Sequence, residues 1–188
     1  MYSLIRCKSG CRAIHVVFFY GGKDMFKVND AVVYAAYGVC EVKAIEKRDL
    51  TGEEVEYYVL QPVGDTKNKF YVPTDRGTLR EKMRKVLSRE ETDMLISSMS
   101  GEKDIWIDDD IRRKEEYRRI IDKGERHELV RLVRTLYLRR KALAAKGKKL
   151  HANDERFLST AENLLSEEFA FVLGIPREEV VPYIKAHI

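Results

Sequence analysis

Cysteine is scarce in this chain: Cys7, Cys11 and Cys40 are the only three among 188 residues. An odd and sparse set does not build a disulfide framework, so the sequence favours a protein of the reducing cytoplasm. Cys7, Cys11 and His15 are spaced so that they would share one face of a helix, but a fourth ligand for a structural Zn²⁺ is not apparent. We therefore expect no metal site.

Long apolar runs are lacking as well. No run reaches the roughly 18–20 residues that a transmembrane helix needs, so we expect no membrane segment. Apolar residues make up 44% of the chain and charged residues 35%, which is the composition of a folded domain rather than of a disordered one.

The common catalytic motifs are also missing. The chain has neither a glycine-rich phosphate loop nor a Gly-x-Ser-x-Gly elbow, and its histidines stand in no recognisable motif. The carboxylates of Asp108, Asp109 and Asp110 suggest a Mg²⁺ site, but adjacent side chains on a helix point in different directions. Capping of a helix is therefore the favoured interpretation of the three. We expect no enzymatic activity, no cofactor and no small-molecule substrate.

What the chain does have is a concentrated block of positive charge. Residues 112–149 contain 15 lysines and arginines against 5 acidic residues, within a protein whose net charge is only +4. Such a block creates a local positive field, and nucleic acid is its commonest target because neutralised phosphates release counterions. The alternative is a pair of solvated helices with charged faces.

Three segments follow from the local patterns. Residues 1–24 are expected to be an extension ahead of a true start at Met25, or a disordered tail. Residues 21–25 read GGKDM, the peptide that a purine-rich ribosome-binding site would encode if it were translated in frame. This favours Met25 as the true start. Residues 25–78 contain four or five short strand patterns at intervals of about ten residues, which predict a small SH3-like barrel. Residues 79–188 predict about five helices, so the fold class is α+β with two domains.

The predicted helices have recognisable ends. Ser88 and Glu91 form a capping-box pattern, and Asp108 is expected to cap the next helix. Gly124 and Gly174 are natural residues at helix C-termini. Pro182 is expected to shorten or kink the last helix.

The basic block is predicted to form a binding surface. On the helix expected from Glu125 to about Lys146, the side chains of Arg131, Arg134 and Lys141 fall on one face. The single tryptophan, Trp106, stands between two isoleucines and is either a core anchor or an exposed wedge that enters a base step of DNA.

Motifs along both parts of the chain resemble the CarD/CdnL family of bacterial regulators that bind RNA polymerase. In the β-rich part they are FKVNDAVVY (26–34), YGV (37–39), AIE (44–46), GE (52–53), YYVL (57–60) and VP (72–73). In the helical part they are Trp106, Gly124, LYLRRK (136–141), DER (154–156) and AE (161–162). The resemblance covers Met25 to the C-terminus.

The resemblance implies a regulator without enzymatic activity. Its N-terminal Tudor-like barrel would bind the RNA polymerase β subunit, with Arg48 at the interface. Tyr71 stands where some members carry a second arginine. The helical domain would contact promoter double-stranded DNA at the upstream edge of the transcription bubble, with Trp106 as the wedge, and would stabilise the open complex. The three aspartates after Trp106 depart from the family's pattern, in which basic residues follow the tryptophan closely.

From the resemblance and the charge pattern together, we expect a monomeric, nucleoid-associated cytoplasmic protein. The residues expected to contact DNA are Trp106, Arg112, Arg113, Arg131, Arg134, Arg139, Arg140 and Lys141. Two other classes of function stay open. One is a protein-interaction adaptor on RNA polymerase that makes no DNA contact, and the other is a factor that binds RNA or the ribosome.

Overall fold

The computed structural model describes residues 26–34, 37–49, 54–65, 67–74 and 82–187. The N-terminal extension expected at residues 1–24 lies outside them, as do Cys7, Cys11 and His15. Within the described residues a β-rich part precedes a helical part, so the predicted α+β class is confirmed. The helices in these ranges include none that is long and apolar enough to cross a membrane.

The β-rich part is an antiparallel sheet of five strands in the order β4-β3-β2-β1-β5. The strands are β1 (Ala31–Tyr34), β2 (Val39–Asp49), β3 (Glu54–Pro62), β4 (Phe70–Pro73) and β5 (Met83–Lys85). The predicted barrel is not confirmed, because β4 and β5 are the two edges of an open sheet among the described strands. The boundary between the two domains, predicted at residue 78, stays a prediction. Strand β5 belongs to the sheet but follows that position in the chain.

One face of the sheet carries its apolar core. Alternate residues point to the same face of a strand, and Val32, Cys40, Tyr58, Leu60 and Val72 on four neighbouring strands are at most 1% exposed. Burial raises the pKa of the Cys40 thiol to about 11, so this cysteine is protonated and unreactive at neutral pH.

Five α-helices follow within residues 82–187. They are α1 (Arg89–Ser98), α2 (Asp110–Lys123), α3 (Arg126–Ala144), α4 (Ala152–Leu173) and α5 (Arg177–His187), with a 3₁₀ turn at Met99–Gly101. The capping box of Ser88 and Glu91 is confirmed. Gly124 and Gly174 end α2 and α4 with φ angles of 63° and 66°, a conformation that favours glycine.

Two predicted helix boundaries need small corrections. The residue that caps α2 is Asp109 rather than Asp108, because the Asp109 carboxylate accepts a hydrogen bond from a first-turn backbone amide. Helix α3 ends at Ala144 rather than near Lys146, and Glu125 is its N-cap. Pro182 lies inside α5 and does not end it.

The sheet and the helices meet at a buried carboxylate. Glu168 on α4 is 1% exposed and accepts hydrogen bonds from the guanidinium of Arg126 at the start of α3. It also accepts from the backbone amide of Leu87, which lies just after β5. Arg126 in turn donates to the carbonyl of Lys85 on β5. This cluster ties β5 to α3 and α4.

Candidate protein-binding and nucleic-acid-binding surfaces

The first candidate surface lies on the sheet and consists of Arg48 and Tyr71. Arg48 on β2 is exposed, and its guanidinium carbon lies 4.6 Å from the centre of the Tyr71 ring on β4. The same guanidinium donates to Glu46 at 3.2 Å. These contacts hold the arginine against the sheet and limit its rotamers. Arg48 therefore loses less side-chain entropy when a partner binds it. The structure thus brings together the two residues that were predicted to contact a protein partner.

The second candidate surface is built around Trp106, in the segment before α2. The indole lies between two guanidinium groups, with that of Arg139 at 3.9 Å and that of Arg113 at 4.4 Å from the ring centre. Its N–H donates to the Asp108 carboxylate at 2.8 Å. The side chain is partly buried and packs against the helical core. An exposed wedge required a largely exposed indole, and that expectation of exposure is wrong. A core anchor required a fully buried indole, which Trp106 is not either.

The three aspartates after Trp106 each have a separate partner. Asp108 accepts the indole hydrogen bond, and Asp109 caps α2. Asp110 forms ion pairs with Arg113 at 2.6 Å and with Lys114 at 2.5 Å. The hydrogen bond from Lys114 lowers the pKa of the Asp110 carboxyl. Because these carboxylates are turned toward protein donors, they repel a nearby phosphate less than three free carboxylates would.

Arg113 was predicted to contact DNA, and that prediction is corrected by its burial. Its residue exposure is 6%, and its guanidinium forms an ion pair with Asp154 on α4 at 3.2 Å. It also donates to the carbonyl of Ile107 at 2.9 Å. Arg113 therefore supports the Trp106 ring from inside the domain, and it has no free donor to offer a phosphate at the surface.

Arg131 and Arg134 lie on one side of α3, as the helical spacing predicts. Arg131 donates to the carbonyl of Lys103 at 3.4 Å, and Arg134 donates to that of Ser100 at 3.1 Å. Their guanidinium groups thus lie over residues 100–103, which lead toward Trp106. They hold this segment in place and still leave donors facing solvent.

The remaining predicted cations differ in how they are paired. Arg139 covers the indole, and Arg140 pairs with Glu155 at 3.0 Å. Arg112 and Lys141 are exposed, and their side chains have no partner among the described residues. These last two are therefore the predicted cations most available to a phosphate.

Two exposed arginines were not singled out from the sequence. Arg118 on α2 and Arg156 on α4 line a groove between those helices. Arg118 follows Lys114 by four residues, so the two share a face of α2. This spacing could have indicated from the sequence that Arg118 belongs to a basic surface. Arg156 lies in the acidic C-terminal segment, so the charge count gave no reason to choose it.

Two protein-family models match the chain, one over the sheet and the other over the helices. The model described as the CarD-like/TRCF RID domain matches residues 26–87. The model described as the CarD C-terminal domain matches residues 94–185. Among individual curated proteins, none matches the chain.

Proposed function

This chain belongs to the CarD-like family, and from that membership we propose that it is a transcription regulator that interacts with RNA polymerase. In this proposal the sheet binds the polymerase β subunit, and the helical part contacts promoter DNA at the upstream edge of the bubble and stabilises the open complex. The protein acts by binding alone and catalyses no reaction.

The polymerase contact is assigned to Arg48 and Tyr71. An exposed arginine held against an aromatic ring is a typical centre of a protein interface, because both side chain types are enriched among the residues that carry binding energy. Both side chains lie on the sheet of residues 26–87, the part matched by the RID domain model. That coincidence of position and chemistry supports the assignment.

Arg48→Glu is expected to weaken polymerase binding by about thirtyfold or more, since truncating a central interface arginine costs about 2 kcal/mol or more. The fold should survive, because Arg48 is exposed. Lys47→Glu is the matched control: it makes the same charge change at the next strand position, whose side chain points to the opposite face. Co-purification with polymerase checks the result, and equal losses in both variants would contradict a specific contact.

The DNA contact is assigned to the surface around Trp106, and the sandwich of this indole between Arg113 and Arg139 is the observation that carries it. The arrangement presents an aromatic ring and an exposed guanidinium at one place on the surface. Arg139 can exchange the ring for a phosphate, which would uncover the indole for a base step at the melting edge of the bubble. Arg112 and Lys141 provide further unpaired cations.

Trp106→Ala is expected to shorten the lifetime of the open complex. It should also lower stability by about 2 kcal/mol, less than the roughly 3–5 kcal/mol lost when a fully buried tryptophan is removed, because the indole is only partly buried. Tyr137→Ala is the matched control, since Tyr137 is an exposed aromatic residue on α3 beside Arg140. An unchanged decay rate, measured below the melting temperature of the variant, would make Trp106 a structural residue only.

A further inference from the structure

A groove of about 350 Å³ lies between α2 and α4. Its residues follow helical spacing on both sides, so one face of each helix forms one wall. The α2 wall consists of Lys114, Arg118 and Ile121. The α4 wall consists of Asn153, Arg156, Phe157 and Thr160. Three of the seven residues are cations and none is acidic. The Lys114 ammonium is paired with Asp110, so the unbalanced positive charge of the groove comes from its two arginines.

The two arginines of the groove differ from most arginines of the helical part. Arg118 and Arg156 are exposed, and neither guanidinium has a hydrogen-bond or ion-pair partner among the described residues. By contrast, the neighbouring Arg119 is bound to both Glu116 and Glu128. A like-charged groove with unpaired guanidinium groups is unfavourable in isolation, and an anion placed there would relieve the repulsion.

We propose that this groove is a second contact for the phosphate backbone of duplex DNA. The inference rests on the proposed function, and it adds Arg118 and Arg156 to the DNA-binding surface. Lys114 stands four residues before Arg118, about 6 Å along the helix, but its charge is already balanced by Asp110. One phosphate contact is therefore expected for each of the two arginines.

The groove and the indole use neighbouring residues of the same helices. Arg113, which supports the indole, directly precedes Lys114 on α2, and its partner Asp154 directly follows Asn153 on α4. Adjacent residues of a helix point in different directions, so the groove and the Trp106 surface are two separate contacts. In the proposal, the groove holds the DNA backbone and Trp106 meets the bubble edge.

Duplex DNA fits this groove better than an acidic protein segment does. The groove has an apolar floor formed by Ile121 and Phe157, which are buried and partly buried. Its exposed rim carries the unpaired guanidinium groups of Arg118 and Arg156. A polyanion with closely spaced phosphates supplies the most charge for such a rim.

The test compares two double variants with the wild-type full chain on a labelled duplex of arbitrary sequence. One variant combines Arg118→Gln with Arg156→Gln. The control combines Arg119→Gln with Arg177→Gln, which removes the same charge from two ion-paired arginines outside the groove. Fluorescence anisotropy measures the dissociation constant between about 50 and about 200 mM salt. Thermal melting by circular dichroism confirms that both variants fold.

The groove variant is expected to reduce the slope of log affinity against log salt by roughly 1.8, which is about 0.9 for each lost phosphate contact. The control should keep the wild-type slope. Equal slopes in the two variants would overturn the second contact while leaving the proposed function intact. If the wild type showed no salt-dependent duplex binding, the DNA contact itself would fail, and the adaptor alternative would be favoured. Loss of polymerase binding with unchanged DNA binding would instead assign the groove to a protein segment.

Discussion

Replacing Glu168 with alanine is expected to cost about 3–5 kcal/mol of folding stability, the range found when one partner of a buried ion pair is removed. The carboxylate is 1% exposed. Two of its contacts with the Arg126 guanidinium are 3.0 Å long, and the third is 2.6 Å. Without it, a mostly buried guanidinium loses its counter-charge, and the backbone amide of Leu87 loses its acceptor.

A second arginine increases the expected loss. The guanidinium of Arg84 on β5 lies 3.9 Å from Glu168. Burial lowers the pKa of Arg84 to about 10, with repulsion from Arg126 acting in the same direction and attraction to Glu168 opposing both. Removing the carboxylate leaves the guanidinium groups of Arg84 and Arg126 close to each other in a mostly buried place, without a counter-charge between them. Because this junction ties β5 to the helices, the loss should be felt in both parts of the protein.

Chemical denaturation of Glu168→Ala measures the effect, and Glu167→Ala is the matched control. Glu167 is the preceding residue, and its carboxylate lies against Gly38 of the sheet. Its ion pair with Arg177 is nevertheless open to solvent, with side chains that are 41% and 45% accessible. Exposed pairs contribute only about 0–1 kcal/mol. Similar losses in the two variants would show that the buried junction contributes nothing beyond an ordinary surface pair.

Local features of this fold were predictable because they depend on neighbouring residues. The capping box of Ser88 and Glu91 and the glycine ends of α2 and α4 are decided within a few residues of the chain. The strands β1 to β4 were visible through their alternation and their β-branched or aromatic residues. Strand β5 was missed because it has only three residues, Met83–Lys85, and exists through its pairing with β1.

The candidate site was harder to predict because its chemistry depends on distant partners. Arg112 and Arg113 are adjacent arginines with the same apparent role in the sequence. The structure leaves the first exposed and buries the second against Asp154, which is 41 positions away along the chain. Trp106 likewise takes its environment from Arg139 on α3, so neither an exposed wedge nor a core anchor described it fully.

Asp154→Ala is expected to lower stability by about 3 kcal/mol, at the lower end of the range for a broken buried pair. Asp154 is 1% exposed, and its two oxygens accept from the Arg113 guanidinium at 3.2 Å and 3.4 Å. The loss stays at the lower end because Arg113 keeps its bonds to Asp110 and to the Ile107 carbonyl.

The same substitution should change the environment of the only tryptophan in the chain. Arg113 holds one face of the Trp106 indole at 4.4 Å, and its position depends on Asp154. Without Asp154 the guanidinium is held only by Asp110 and the Ile107 carbonyl. Its position over the ring becomes less fixed and water reaches the indole, so the fluorescence emission of the folded variant should shift to longer wavelength. Asp154→Asn keeps the shape of the side chain and removes its charge, and it should cause a smaller change of the same kind.

Glu155→Ala is the matched control for both measurements, because Glu155 forms an exposed pair with Arg140 on the adjacent helix. It should cost no more than about 1 kcal/mol and leave the tryptophan emission unchanged. An Asp154→Ala variant that lost stability with wild-type emission would show that Arg113 does not position the indole. In that case the ring would be held by Arg139 and Asp108 alone, and the surface proposed to meet DNA would not depend on the buried ion pair beneath it.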